Sequence, residues 1–337
     1  MDKILFGVVG CGSIGKRHVA VLDAEPEALI TGICDSDVIK AKEQSGLYNN
    51  IPYFTSYDEM LKTIKADVIN VVTPHALHAP MAIQALEAGF NVLVEKPMAL
   101  KVADCKRMIE AAKANDRKLW VVKQNRHNVP IKLAKDAIDK GMLGKIFMVK
   151  CDILWNRYQG YYDESPWRGK KEQEGGALFT QASHFIDLLV WWCGDIASVK
   201  SHMETQNHHI ETEDSGSSII KFSGGAIGSI NWTTCVYNKN YEGSITIIGE
   251  YGTIKIGGQY LNKVEFWDVR GYPLQEGVEF TDKPNAYGKY QGTSSNHDKV
   301  IRTIIETIRH KHVDIEAVEG FEGMRSIDAI EKMYNAV

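Results

Sequence analysis

The chain lacks an apolar run approaching the ~18 residues that a membrane-spanning helix needs. It also has no Cys-x-x-Cys pair, no internal repeat and no low-complexity tract. Strong charge of either sign is missing too: 39 Lys and Arg stand against 43 Asp and Glu, for a formal net charge of −4. That balance gives no electrostatic reason to hold nucleic acid or an anionic membrane, and neither is expected as a partner. The six cysteines, at 11, 34, 105, 151, 193 and 235, are scattered. In a chain of this length the scatter reads as reduced, mostly buried thiols, neither a disulfide frame nor a zinc site, so no bound metal is expected. The first strand-like residues come within a few positions of Met1, so no signal peptide is expected and the cytoplasm is the expected compartment.

What is present is an ordinary globular composition, 44% hydrophobic and 24% charged over 337 residues. That length suits two domains, each able to bury a core. From Ile4 to Val122 short apolar runs alternate with helical patterns: strands at 4–9, 29–34, 68–72, 91–94 and 119–122, with helices near 16–24, 37–45, 57–64, 76–88 and 101–115. Strands alternating with helices predict a doubly wound parallel α/β sheet, a Rossmann domain over residues 1–124. After a helix near 130–140 and a long strand at 146–155, an aromatic, charged and aperiodic stretch runs from Asn156 to Glu174. Gly175-Gly176 then opens an apolar helix through Trp192. Strand-like runs follow at 198–205, 215–223, 226–235, 243–249, 252–257 and 263–268, joined by tight turns, and two helices near 296–310 and 317–335 close the chain. Residues 125–337 are therefore expected to form an α+β domain on an open, mainly antiparallel sheet, with the terminal helices able to pack back on the first domain.

Gly10-Cys11-Gly12-Ser13-Ile14-Gly15 lies between the first strand and the first helix, and Asp35 ends the second strand twenty residues past Gly15. The first glycine permits a tight turn, the second lets a pyrophosphate approach the backbone, and the third lets helix and strand pack closely. The phosphates would meet the free N–H groups and positive dipole end of the helix. Asp35 can accept from both ribose hydroxyls and repels a 2′-phosphate, and Asp37 adds to that repulsion, so NAD is expected over NADP. Thr73-Pro74-His75 follows the third apolar strand, with His78 one turn on; one histidine is expected to line the nicotinamide side and the other to pack at the helix start. Asn91-Val92-Leu93-Val94 runs into Glu95-Lys96-Pro97, a charged pair at the mouth of a buried strand, where open parallel sheets bind their ligands. Lys96 is thus the expected centre of the active site, aimed by Pro97.

The glycine loop, Glu95-Lys96-Pro97 and the segment from Gly175-Gly176 to His184 and Asp187 together resemble the glucose–fructose oxidoreductase/inositol dehydrogenase (Gfo/Idh/MocA) family, over nearly the whole chain. The resemblance implies that Lys96 touches both nicotinamide and sugar, and that His184 is the proton acceptor with Asp187 its neighbour on the helix. It also implies a cofactor set extending through Glu95 to Gln124. Many inositol dehydrogenase-like members carry an aspartate four residues before the histidine; here that place is Thr180, followed by Gln181, and Thr180 cannot take a proton. Val122-Lys123-Gln124-Asn125-Arg126, Trp167-Arg168-Gly169 and the segment Tyr290 to Asp298 look like members that oxidise the 3-hydroxyl of UDP-N-acetylhexosamines or their uronic acids in bacterial surface-polysaccharide pathways. A free-sugar or inositol dehydrogenase, an NAD-recycling glycosidase and a silent NAD-binding regulator are the alternatives.

For such a substrate Arg126, Arg157, Arg168 and Lys170 would lie on a pocket rim, with Arg157 and Arg168 flanking Tyr158, Tyr161, Tyr162 and Trp167 for sugar faces and uracil stacking; a subunit-contact loop is the alternative. Thr180, Gln181, Asn296 and His297 complete the expected substrate set, and the two glycines are expected to leave room for a sugar ring. His208-His209-Ile210-Glu211-Thr212-Glu213-Asp214 reads as a solvated hairpin in preference to a metal site. The outer face of the second-domain sheet is expected to pair copies into a homodimer or homotetramer.

Overall fold

The computed structural model describes residues 2–275, 277, 284–286, 291–313 and 316–337. It divides into two compact units, Met1–Val122 with His297–Met324, and Lys123–Asn296 with Arg325–Val337.

The first unit runs β1 (Ile4–Val9), α1 (Ser13–Ala24), β2 (Ala28–Cys34), α2 (Val38–Leu47), β3 (Tyr53–Phe54), α3 (Tyr57–Thr63), β4 (Val68–Val71), α4 (His75–Glu87), β5 (Asn91–Val94), α5 (Val102–Ala114) and β6 (Leu119–Val121). The six strands are parallel in the order β3-β2-β1-β4-β5-β6. This is the doubly wound arrangement, whose direction reverses between β1 and β4, and ligands bind outside the carboxyl ends of strands at that switch point. Strands buried on both faces need near-continuous apolar runs; β4 is buried throughout, yet it carries one polar residue, Asn70. The core includes Phe6, Val8, Ile33, Leu93 and Trp120, each large side chain contributing roughly 1.5–3 kcal/mol by its burial. α9 (His297–Ile308) joins this core through Val300, Ile301, Ile304 and Ile305, which explains why a helix so late in sequence belongs to the first unit. Val318 O then accepts from Val121 N beside β6.

The second unit holds α6 (Val129–Asp139), β7 (Ile146–Leu154), α7 (Gln159–Asp163), α8 (Ser183–Cys193), β8 (Ile196–Glu204), β9 (Ser215–Phe222), β10 (Ile227–Thr233), β11 (Glu242–Gly249), β12 (Gly252–Gly257) and β13 (Lys263–Val269). A short ladder pairs β14 (Pro284–Ala286) with β15 (Gln291–Ser294), and α10 (Gly320–Tyr334) completes the order. The large sheet has the order β13-β12-β11-β7-β10-β9-β8. The expected mainly antiparallel sheet is present, with one parallel pair, β7 with β10, at its centre. Alternation along β9 and β10 buries every second residue. α8 is instead buried on nearly every side, as befits a helix apolar all round, and Phe185 meets Trp155 edge-on with ring centroids 5.6 Å apart. Among the described residues no helix is long and apolar enough to cross a membrane.

Candidate active site

The glycine loop is built for a close ligand. Gly10 has φ +107°, and a Cβ there would lie 2.6 Å from Val72 O, so only glycine fits the turn. A Cβ at Gly15 would overlap Gly10 O, which is the close helix–strand packing expected of the third glycine. Gly12 differs: it is exposed, and nothing lies within 4 Å of an added Cβ, leaving open backbone at the start of α1. No side chain caps α1 and no acid stands in its first turn, so its leading N–H groups remain suited to phosphate. Ser13 is exposed and Ile14 half-buried beside this opening. Asp35 is fixed at the edge of the loop, Oδ2 accepting from Cys11 N at 2.7 Å and Oδ1 from Asp37 N at 2.9 Å. Asp37 caps α2 through Ile39 N and Lys40 N. These residues fit a dinucleotide. The six cysteines are free thiols; burial pushes Cys11 up to about 12 and Cys34 to about 11.

Lys96 stands half-buried past the end of β5, and its peptide bond to Pro97 is cis. Glu95 beneath it is buried. Its Oε2 accepts from Lys96 N at 2.9 Å, and its Oε1 lies 3.0 Å from His18 Nε2 and 3.3 Å from His297 Nε2. Asn70 Nδ2 donates to His18 Nδ1 at 3.1 Å, so the proton on His18 sits at Nε2 and is donated to Glu95. Burial pulls the His18 pKa down and keeps the ring neutral, against the pull of Glu95. For Glu95 itself burial works upward, but the two histidines outweigh it and hold the carboxyl well below its usual range. His78 Nδ1 and Nε2 face Pro97 O at 2.7 Å and Thr73 O at 2.8 Å, tying the turn after β4 to the turn after β5. Burial lowers its pKa, with the carbonyls opposing. Thr73 and Pro74 are half-buried, and the His75 ring tilts against His78 with centroids 5.7 Å apart. The polar residue Asn70 inside an apolar strand, and His18 one turn past Gly15, are the sequence signals for this cluster.

In the second unit the expected helix from Gly175-Gly176 begins with a π-turn, Leu178–Ala182, before the regular α8. The extra residue per turn re-aims the side chains it carries, Thr180 and Gln181 among them. Thr180 Oγ1 donates back to Gly176 O at 3.1 Å, Gln181 Nε2 donates to Tyr161 Oη at 3.4 Å, and His184 is buried one turn on. The room expected beside Gly176 for a sugar ring is already filled: a Cβ there would overlap the Tyr334 hydroxyl and lie 2.5 Å from Glu213 Oε2. Glu213 Oε1 accepts from Leu178 N at 3.1 Å and from Tyr334 Oη at 2.8 Å, and burial pushes its pKa up to about 7.

Asp187 turns to other partners than His184. Its oxygens accept from Arg126 Nε at 2.8 Å and Nη2 at 2.9 Å, and Lys123 Nζ lies 3.1 Å away. Burial pushes its carboxyl up, but the two cations win and hold it at about 2. Arg126 is therefore anchored inside the second unit, with its guanidinium 4.6 Å from the Trp191 ring centre, and not on an exposed rim. Arg157 is buried likewise, donating to Asn156 O and Asn240 Oδ1, a brace for β7. Arg168 is half-buried and stacks over Tyr161 at 4.0 Å and Trp167 at 5.6 Å, while Lys170 is exposed. Gln124 is buried in the 3₁₀ turn Gln124–His127. Asn296 Nδ2 donates to Asn128 Oδ1 at 2.8 Å, so it ties two segments of its unit together. Tyr290 lies outside the described residues.

The hairpin expected at 208–214 is solvated only in part: His209 and Glu211 are exposed, but His208, Thr212, Glu213 and Asp214 are buried. Asp214 accepts from the backbone of Gln206, Asn207 and His208 and from His208 Nδ1, and the His208 Nε2 side reaches Arg157 O at 2.8 Å. The polar groups are satisfied within the fold, which is what makes their burial tolerable.

Two family models match the chain, an oxidoreductase family with an NAD-binding Rossmann fold over residues 4–123 and the GFO/IDH/MocA C-terminal domain over residues 131–255. The WlbA dehydrogenase from Bordetella pertussis, solved with NADH and UDP-GlcNAcA, is 36% identical over 99% of this chain and 96% of its own, with a TM-score of 0.88. Its counterpart from Chromobacterium violaceum, solved with the same two ligands, is 36% identical over 100% of this chain and 94% of its own, with a TM-score of 0.91. A 1-carboxy-3-chloro-3,4-dihydroxycyclohexa-1,5-diene dehydrogenase from Comamonas testosteroni is 26% identical over 72% of this chain; the match spans 62% of that enzyme, less than two thirds of its length. With its glycine loop, Asp35 and parallel sheet suited to NAD, the chain belongs to the Gfo/Idh/MocA family of NAD-binding oxidoreductases.

Proposed function

We propose that this NAD-dependent dehydrogenase oxidises the 3-hydroxyl of a UDP-N-acetylhexosamine or its uronic acid. The observation that carries this reading is the full-length, 36% likeness to two dehydrogenases crystallised with NADH and UDP-GlcNAcA. Bound NAD supplies the hydride acceptor. Lys96, held at the end of β5, donates a hydrogen bond to the reacting oxygen and stabilises alkoxide character. His184 takes the hydroxyl proton; an imidazole, with an ordinary pKa near ~6.5, suits a base at neutral pH. Thr180 cannot serve as the acid of a relay, since its hydroxyl is turned to Gly176 O. Arg168 over Tyr161 and Trp167 offers a cation and aromatic faces for the nucleotide end.

The test is the initial rate of NADH formation, read by absorbance, with UDP-GlcNAcA, UDP-GlcNAc and a panel of free sugars and inositols. Turnover confined to the UDP-sugars is expected, and His184→Ala should lose ~10²–10⁴-fold in kcat with NAD binding retained. Faster reduction with a free sugar or inositol would replace this reading with the plain sugar dehydrogenase. Free sugar released without net NADH would replace it with a glycosidase.

A further inference from the structure

We propose that His18 and His297, acting through Glu95, are positioning residues that fix the backbone of Lys96. This rests on the reading of Lys96 as the lysine that meets the reacting oxygen. The proposal gives Glu95 and His297, expected at the cofactor and the substrate, an internal role as well.

Glu95 is 4% exposed, and a carboxylate taken out of water is costly unless its oxygens meet donors. Two hydrogen-bond donors meet it, Lys96 N from the turn itself and His18 Nε2 from α1, and His297 Nε2 from the start of α9 stands 3.3 Å from its Oε1. Glu95 folds back onto the N–H of its own neighbour, so whatever fixes the carboxylate fixes the peptide leading into Lys96. His18 cannot rotate away, because its other nitrogen is held by Asn70 Nδ2 from inside β4. The His297 contact is long for a hydrogen bond. The ring stands edge-on to His18, with centroids 5.5 Å apart, and among the described residues neither ring nitrogen meets a partner in hydrogen-bond geometry, so Nε2 faces Glu95 at ion-pair distance. On the far side His78 Nδ1 lies 2.7 Å from Pro97 O. Among the described residues the charged and titratable groups facing Glu95 are His18, His297 and Lys96, with His78 beyond them. Lys96 is gripped at the amide before it and at the carbonyl after it, and an error of ~1 Å in such a group can cost ~10²-fold in rate.

His297→Phe keeps ring volume and removes the donor; His297→Gln places an amide N–H near the lost Nε2. The two readouts are kcat, with KM and the dissociation constant for NAD, and the Lys96 amide resonance in protein labelled with ¹⁵N-lysine, identified by its loss in Lys96→Arg. His297→Phe is expected to displace the Lys96 amide resonance and lower kcat ~10–100-fold with NAD affinity within ~2-fold, and His297→Gln to restore both. An unmoved amide in His297→Phe, or a His297→Gln variant as impaired as His297→Phe, overturns the proposal, because packing alone would then explain the residue. Should His297→Phe not fold, Glu95→Gln must move the resonance and His297→Gln must leave it in place; the opposite pair of results overturns the proposal equally. A stoichiometric divalent metal found in the purified protein and lost with His297→Gln would also overturn it, since the three groups would then be ligands. If the amide responds as expected while wild-type protein oxidises none of the UDP-sugars, the brace stands and the substrate reading falls.

Discussion

Two buried glutamates show how neighbours decide what burial does. Glu95 and Glu213 both lose solvent, and in both burial is the largest influence, raising the pKa. Around Glu95 two imidazoles and a backbone N–H overcome it; around Glu213 the partners are a tyrosine hydroxyl and backbone amides, which oppose it only in part. Glu213 therefore keeps its proton up to about pH 7 in the fold but releases it near 4.5 when unfolded. With the folded value raised, the unfolded chain sheds a proton that the folded chain retains, so stability falls as pH climbs from 4.5 through 7 and the full cost remains above that. A rise of this size corresponds to about 3 kcal/mol at ~1.36 kcal/mol per tenfold change in acidity. Glu213→Gln, which cannot ionise, should gain on wild type in urea midpoint as pH rises from 4.5 to 7, the gain levelling off above pH 7. A difference independent of pH would show that ionisation of Glu213 is not what strains the site.

At the scale of elements, Gly175-Gly176 and the π-turn after it are one device. Gly176 has φ +118°, and the space a side chain would take is held by Glu213 and Tyr334. Glu213 and Tyr334 thus anchor the origin of the segment that carries Thr180, Gln181 and His184. Gly176→Ala should cost roughly 2–4 kcal/mol from the left-handed backbone and the overlap together, with kcat falling more than the unfolding midpoint alone explains; a midpoint within error of wild type would refute the close approach. The glycine pair was legible in the sequence as a special backbone, but its reason was not, because Tyr334 lies more than 150 residues away. The same limit appears elsewhere. Strand runs such as 91–94 and 252–257 announce themselves by local pattern and match the structure to the residue. The parallel pairing of β7 with β10 joins Met148 to Ile227 across a connection that local pattern does not describe. Burial of His208 depends on Arg157 O and Asp214, and a run of polar letters looks the same whether solvated or satisfied. The motif glycines, Asp35 and Lys96 could be picked out because each sits at a fixed offset from a strand end; His184 stood out only through the family resemblance, since its local pattern is that of a packed core histidine. Asn70 and His18 leave a local mark, a polar letter in an apolar strand and a histidine one turn past Gly15, but their partners come from other segments, and nothing local marks Glu213.

At the scale of the whole molecule, the large sheet of the second unit leaves an apolar row on one face. Ile248 of β11 pairs with Met148 of β7, which pairs in turn with Ile227 of β10, and all three are exposed. Ile219 on β9 and Phe266 on β13 are exposed as well, at 68% and 51%. Scattered apolar residues on a surface need no explanation, but a contiguous row across neighbouring strands points to a covered surface. Charge does not forbid the pairing of two such faces: Lys150 beside the row is matched by Asp152, and Lys255 by Glu242 and Glu265, so the rim around the apolar centre is balanced within each copy. We propose that copies of the chain associate through this face, with Met148 at its centre. Substitution at the centre of an interface costs more than at its rim, and Met148→Glu would bury an unpaired charge opposite its own symmetry mate. In sedimentation velocity the wild-type protein should run as a dimer or tetramer and Met148→Glu as a smaller species, while Lys221→Glu, whose side chain stands one pair beyond Ile227, should dissociate far less. A wild-type monomer at micromolar concentration, or a Met148→Glu variant that keeps the wild-type mass, would refute this face as the contact.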